Sequence, residues 1–219
     1  MPSKLLVPLV LVLVLVALAA LAQSRAGKSD FYFSPTFVNG TNYTFEGGSS
    51  VQTDTGIGFG LGWQYNADAH WAGGLEFNWG YIDYRATVQP GPGNVLGPQR
   101  ISGTMYTSNL RFVGTYNLAP GPLTPFITAN AGWTYLDTGI PSGLPQNVCW
   151  YYPWYGSYCA NVTPTHATTK FAYGAGLGVR ADIGRSFVLR GMVSQQYVDF
   201  SNFSSTPWTV WRIDLGARF

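Results

Sequence analysis

The sequence predicts an all-β chain folded as an eight-stranded, antiparallel, up-and-down transmembrane β-barrel. Three observations carry that prediction. Only 10% of the 219 residues are charged, against 46% hydrophobic and 16% aromatic. Soluble domains carry roughly 25% charged residues, so this chain has too little charge to cover a water-facing exterior. No stretch after residue 22 reaches the roughly 18 apolar residues of a spanning helix. Eight later segments alternate apolar and polar residues with period two. A chain that sits in lipid without spanning helices must satisfy its backbone groups between strands, and a closed barrel does that. The 13 Phe, 14 Tyr and 8 Trp exclude a disordered chain. A net charge of +2 with no Lys/Arg cluster argues against a nucleic-acid partner.

The first element, residues 1–22, reads as a cleaved secretory signal. Lys4 gives it a positive start, residues 5–18 are almost unbroken apolar sequence, and Ala20-Leu21-Ala22 is the small-x-small pattern of a cleavage site. Gln23 is then the first mature residue, with a weaker second site at Ala26. The competing reading is one spanning helix over 5–22; the small residues at its end and the lack of a following basic cluster weigh against it. No Cys at the cleavage point offers a lipid anchor. Residues 23–219 form one domain by length.

The strands follow in order. Residues 31–37 alternate least cleanly, with Pro35 inside the segment. Residues 57–63 alternate apolar positions with Gly58, Gly60 and Gly62. Residues 71–81 set Trp71, Leu75, Phe77, Trp79 and Tyr81 against Gly74, Glu76, Asn78 and Gly80. Residues 108–118 set Leu110, Phe112 and Tyr116 against Asn109, Arg111 and Thr115, and 127–135 alternate with Thr128, Asn130, Gly132 and Thr134. Residues 171–183 are the clearest: every odd position is apolar, while the even ones are small residues plus Arg180 and Asp182. Residues 187–197 carry Arg190, Ser194 and Gln196 on the polar side. The last segment sets Trp211, Ile213, Leu215, Ala217 and Phe219 against Arg212, Asp214, Gly216 and Arg218.

Connections alternate in length too. Short ones fall at 66–69, 119–122 and 184–186, long ones at 40–55, 87–99, 139–168 and 201–207. Short turns on one side and long loops on the other are the pattern of outer-membrane barrels. A secreted lipocalin-type barrel also has eight strands, with an apolar cavity and a polar exterior. Here the polar face is too sparse for a solvated exterior, while its small residues leave room for long side chains crossing a narrow lumen. Turned the other way, Arg180, Arg190 and Arg212 would each cost about 2–4 kcal/mol in lipid near the midplane. The apolar face therefore points outward.

On these residues the chain resembles the OmpA/OmpX-like, opacity-type family of eight-stranded outer-membrane barrels. The resemblance rests on the signal segment, on Thr124-Pro125-Phe126-Ile127-Thr128-Ala129-Asn130-Ala131-Gly132-Trp133, on Tyr173-Gly174-Ala175-Gly176-Leu177-Gly178-Val179-Arg180 and on Trp211-Arg212-Ile213-Asp214-Leu215-Gly216-Ala217-Arg218-Phe219. It implies a bacterial outer-membrane location with periplasmic termini and contact with outer-membrane lipid and lipopolysaccharide. It also implies a terminal assembly signal, Trp211, Ile213, Leu215 and Phe219, read by the barrel-insertion machinery. The sequence ends at Phe219, so the peptidoglycan-binding domain of full-length OmpA proteins and its tethering are not expected.

The candidate chemistry lies in two places. Glu76, Arg111, Arg180, Asp182, Arg190, Arg212 and Asp214 share the inward face, and their mixed signs predict an ion-pair network with Glu76 and Asp214 shared among the arginines. Such a network either gates a narrow channel for small solutes or plugs the barrel. The plug is favoured because eight strands leave an interior just wide enough for side chains. Cys149 and Cys159, the two cysteines, fall in the longest loop and predict a disulfide in an oxidising compartment. Between them lie Trp150, Tyr151, Tyr152, Trp154, Tyr155 and Tyr158. These aromatics suit a tip that binds a surface ligand, or else they pack on one another or on the sugars and headgroups at the rim; both readings stand.

A rim-located lipid-modifying enzyme needs a His beside a carboxylate and a nucleophile. The two His, His70 and His166, fall in a short turn and a long loop, and no Gly-x-Ser-x-Gly or His-x-Ser pattern occurs. Catalysis, a metal and a cofactor are therefore not expected. The Gly174-x-Gly176-x-Gly178 run has period two and no following helix, so it is not a dinucleotide fingerprint. The expectation is a monomer whose work is structural or done by its four long loops.

Overall fold

The computed structural model describes residues 25–44, 48–89, 97–154, 156–199 and 207–219. Segment 1–22, expected to direct export, and the loop residue Tyr155 lie outside the described residues. Among the described residues twelve strands run in chain order: β1 Lys28–Val38, β2 Asn42–Thr44, β3 Ser50–Thr53, β4 Gly56–Asn66, β5 Trp71–Val88, β6 Gln99–Asn117, β7 Leu123–Pro141, β8 Gln146–Tyr152, β9 Gly156–Val162, β10 Thr165–Ile183, β11 Phe187–Val198 and β12 Trp208–Arg218.

Eight of them, β1, β4, β5, β6, β7, β10, β11 and β12, match the eight segments expected from alternation, two of which run one residue past their strand's end. Each pairs antiparallel with the neighbours before and after it, and β12 pairs back onto β1, with Asp30 opposite Arg218 and Val38 opposite Val210. The ring has no free edge. The two ends of the ring's chain meet at the short-turn end, where Ser29 and Phe219 exchange both backbone hydrogen bonds (3.2 and 2.9 Å).

The exterior is apolar over a definite height. On β5 the outward residues run from Trp71 through Leu75 to Tyr81, and the next outward residues are Asp83 and Arg85. On β7 the outward run ends at Trp133 and Tyr135 before Asp137, and on β10 it ends at Phe171 before Thr169. Ten residue steps from Trp71 to Tyr81 span about 33 Å of strand, which projects to about 25 Å at a tilt of about 40°. That is the height of a lipid-facing band. Aromatics mark its edges: Trp71 packs against Tyr116 in a tilted pair at one end (ring centroids 4.8 Å), and Tyr81, Tyr106 and Tyr135 line the other.

Strands β5, β6, β7 and β10 continue past this band by six residues or more, beyond the extent read from alternation. His166, expected in a loop, therefore lies in β10, where its backbone oxygen accepts from Thr138 Oγ1 (2.9 Å). Alternation loses its apolar signal there because the outward face has left lipid and carries residues such as Asp83 and Arg85. The long loop 40–55 holds two short strands as well, and β3 pairs with the protruding part of β5 once β4 has ended. The longest connection folds into the separate β8–β9 hairpin, with Cys149 opposite Cys159 and the two joined as a disulfide.

The glycines of the inward face serve a more specific purpose than room for arginines. A Cβ on Gly62 would collide with the ring of Tyr32, and one on Gly178 would lie 2.7 Å from Cζ of Phe126. Both rings are buried in the lumen, so bare backbone opposite them is what lets aromatic rings enter so narrow a barrel.

Candidate functional site

The lumen is filled in layers. At the short-turn end, Asp30 of β1 lies in register opposite Arg218 of β12, while Arg180 and Asp182 sit two apart on the same face of β10. Those register facts bring four charges together. Asp30 accepts from Arg180 Nη2 (2.6 Å), Arg218 Nε (3.0 Å) and Asn66 Nδ2 (2.9 Å). Asp182 accepts from Arg180 Nε (2.8 Å) and Arg218 Nη2 (2.5 Å), and Arg25 Nε lies 3.5 Å from its second oxygen. Arg25 also donates to the backbone oxygens of Pro120 (3.3 Å) and Gly121 in the β6–β7 turn.

A second cluster lies at mid-height. Arg190 and Asp214 are cross-strand partners on β11 and β12, joined at 2.7 Å, with Ser34 Oγ donating to the same carboxylate (2.7 Å). Arg212 bridges two carboxylates: its Nε is 2.8 Å from Asp214, and its Nη1 and Nη2 grip Glu76 at 2.5 and 2.7 Å. Tyr32 OH completes Glu76 (2.7 Å). The Arg190 guanidinium lies 4.0 Å over the Tyr32 ring and donates to Gln64 Oε1 (2.5 Å). Paired forks of this kind are the strong form of the ion pair.

Six of the seven charged lumen residues named from the sequence are thus joined in ion pairs. Arg111 is the exception. It is buried and directly opposite Glu76 on the neighbouring strand, yet no carboxylate among the described residues lies within 4.0 Å of it. Asp30, Arg218, Arg25 and the Tyr32 hydroxyl belong to the clusters and were missed. Arg218 shares the inward parity of Arg212 and Asp214, and Asp30 shares that of Ser34 and Thr36 but falls one residue before the expected strand. Arg25 precedes β1, where no periodicity applies.

Above the mid-height cluster lies a cavity of about 50 Å³ lined by Glu76, Asn78, Asn109, Arg111, Thr128 and Arg212, among others. Over it sits an apolar cluster of Ile82, Leu136, Ala172, Val198 and Trp208, packed by Tyr43 of β2, whose hydroxyl accepts from Trp208 Nε1. Burial pushes the Tyr43 phenol up.

The β8–β9 hairpin contrasts with all of this. Residues 142–164 contain no charged side chain. Trp154 and Tyr151 are 87% and 74% exposed, and Trp150 and Tyr158 stack with ring centroids 6.4 Å apart. Tyr152 ends β8, opposite Gly156. The terminal-strand residues Trp211, Ile213 and Leu215 point outward, and Phe219 is exposed beside the start of β1.

His70 and His166 are far apart in the fold. His70 sits in the β4–β5 turn, with Nδ1 2.7 Å from the Asn117 backbone oxygen, and His166 is on β10 beyond the apolar band. In the same turn the backbone N–H groups of Trp71 and His70 donate to Asp68 (2.7 and 2.6 Å) and hold its carboxyl below the usual range.

A family model described as an outer membrane protein beta-barrel domain matches residues 9–219. Among solved structures, the chain is similar to the outer membrane protein OprG from Pseudomonas aeruginosa, at 12% identity and a TM-score of 0.52, covering 89% of this chain and 96% of that one. It is also similar to Ail, the attachment invasion locus protein of Yersinia pestis, at 13% identity and a TM-score of 0.47, covering 89% and 99%. At such identity the likeness to OprG shows the fold. No curated protein sequence matches the chain.

Proposed function

The chain belongs to the outer membrane protein beta-barrel family, and on that premise we propose that it is a plugged structural barrel that presents its long loops for surface interaction. In this reading segment 1–22 directs export and is removed. The short turns and both termini face the periplasm, the long loops face outward, and the apolar band contacts outer-membrane lipid and lipopolysaccharide. The protein acts as a monomer, without catalysis or a cofactor. The insertion machinery reads Trp211, Ile213, Leu215 and Phe219 on the terminal strand. The Cys149–Cys159 hairpin is the foremost contact, because Trp150, Tyr151, Trp154 and Tyr158 are exposed and the segment is uncharged and stapled by the disulfide.

The observation that carries this reading is the filled lumen. Two clusters of arginines and carboxylates cross it, an apolar cluster lies over them, and about 50 Å³ of cavity remains between. That volume holds only a few water-sized species, which supports a plug rather than a continuous path. The competing reading is a narrow channel in which these pairs switch.

Single-channel recording of the refolded mature protein in a planar bilayer decides between them, with and without reductant and beside Glu76→Gln. A silent bilayer with insertion verified separately is the expected result. Discrete openings that respond to reductant or to Glu76→Gln would make the lumen a gate.

A further inference from the structure

We propose that the lumen holds a small monovalent anion of chloride size, bound against Arg111 in the cavity above the mid-height cluster. The argument begins with a count. Among the described residues, six buried arginines face four buried carboxylates. The excess is not spread evenly, because most of these charges answer one another at hydrogen-bond distance. At the short-turn end, Arg25, Arg180 and Arg218 share Asp30 and Asp182, and Arg25 is further held by two backbone oxygens. At mid-height, Arg190 and Arg212 answer Asp214 and Glu76.

Arg111 has no counterpart left. Its cross-strand neighbour Glu76 is its obvious partner, but both oxygens of Glu76 are taken by the fork of Arg212, and one of them also by Tyr32 OH. Arg111 is 9% exposed, and its Nε has no hydrogen-bond partner. A guanidinium stays charged at any ordinary pH, and a charge left uncompensated out of water is costly.

The cavity beside it has the chemistry to supply the missing charge. Asn78 Nδ2 also borders it without a partner, and the side-chain oxygens of Asn130 and Gln196, likewise without a partner, belong to residues lining the same space. A carboxamide that turns offers an N–H₂ group in place of its oxygen. A guanidinium and a neighbouring amide donor bordering one small pocket favour an anion there. About 50 Å³ admits a halide-sized ion and favours it over larger anions. The ion would be a resident counter-charge, independent of whether the barrel conducts.

The test uses the refolded mature protein in detergent, with sodium chloride exchanged for sodium gluconate at fixed ionic strength. Thermal unfolding should shift upward saturably with chloride, by about 3–5 °C at tenfold saturation, and Arg111→Gln should abolish the chloride dependence. Equal midpoints in chloride and gluconate would overturn the proposal and leave a water-filled cavity. So would a chloride dependence that survives in Arg111→Gln, because the ion would then lie elsewhere. Should that variant fail to fold, bromide-edge anomalous scattering from the wild-type protein decides. A peak within hydrogen-bond reach of Arg111 supports the site, and none there refutes it.

Discussion

The interior of the barrel and the β8–β9 hairpin hold their shape by opposite means, although both belong to one chain of sparse charge. In the interior nearly every charged group meets an opposite charge within hydrogen-bond distance, and the pairs reach across strands far apart in sequence, such as Asp30 to Arg218 and Glu76 to Arg212. The hairpin and its flanks contain no charge at all and rely on a local ladder plus the Cys149–Cys159 bond. A closed, low-dielectric space makes ion pairs strong and unpaired charges costly. In water the same pairs contribute about 0–1 kcal/mol, so an exposed hairpin gains more from covalent closure. The interior commits its side chains to one another. The hairpin commits its backbone and leaves the Tyr151 and Trp154 side chains exposed.

The sharpest way to break this contrast is to remove one interior carboxylate. Asp30→Asn leaves Arg180 and Arg218 to share Asp182 alone, and a destabilisation of about 3–5 kcal/mol is expected from a broken buried pair. Asp214→Asn should cost less, because Arg190 keeps the Tyr32 ring and Gln64, and Arg212 keeps Glu76. Urea unfolding of the folded variants in lipid vesicles measures both. Midpoints equal to wild type would show that the lumen charges do not hold the barrel. Next in size, deleting Phe219 should lower the amount of protein inserted in the outer membrane, scored by fractionation; normal levels would remove the residue from any assembly role.

The hairpin should respond differently. Closing ten residues of sequence stabilises by a little under ~3 kcal/mol in the chain-entropy model, but the gain belongs to the hairpin rather than the ring. Cys149→Ser is therefore expected to leave the urea midpoint of the barrel unchanged while proteolytic cleavage between residues 150 and 158 becomes faster. A lowered barrel midpoint would mean that the two regions fold as one unit.

How much of this was legible in the sequence follows the same division. The ring strands were readable because lipid on one side and a packed lumen on the other impose period two, as at 171–183 and 209–219. The protruding ends of β5, β6, β7 and β10 were not, because beyond Tyr81, Tyr106 and Tyr135 neither face is committed to lipid. In the lumen, parity identified which charges point inward but not which ones meet. The sharing of Glu76 depends on Tyr32 and Arg212 reaching it across the lumen from the adjacent strands β1 and β12, and that left Arg111 without the partner its register suggests. Asp30 was lost to a one-residue error at a strand end, and Arg25 lies where alternation has no meaning.

The smallest expected effect tests whether the interior rule is about charge itself or about where charge is placed. Asp68 is exposed in the β4–β5 turn, where its carboxylate accepts from the backbone N–H groups of Trp71 and His70 rather than from a counter-ion. These bonds lower its pKa in the folded turn, so their stabilisation is fully present above the ordinary carboxylate range. It is lost as pH falls through the depressed value. Asp68→Asn should leave the barrel's unfolding midpoint unchanged. In the wild type, amide exchange at His70 and Trp71 should lose protection only at acid pH, once the intrinsic exchange rate is taken into account. A large fall in the barrel midpoint from Asp68→Asn would mean that a water-facing charge with backbone partners matters as much as a buried pair, and the distinction between interior and surface would fail.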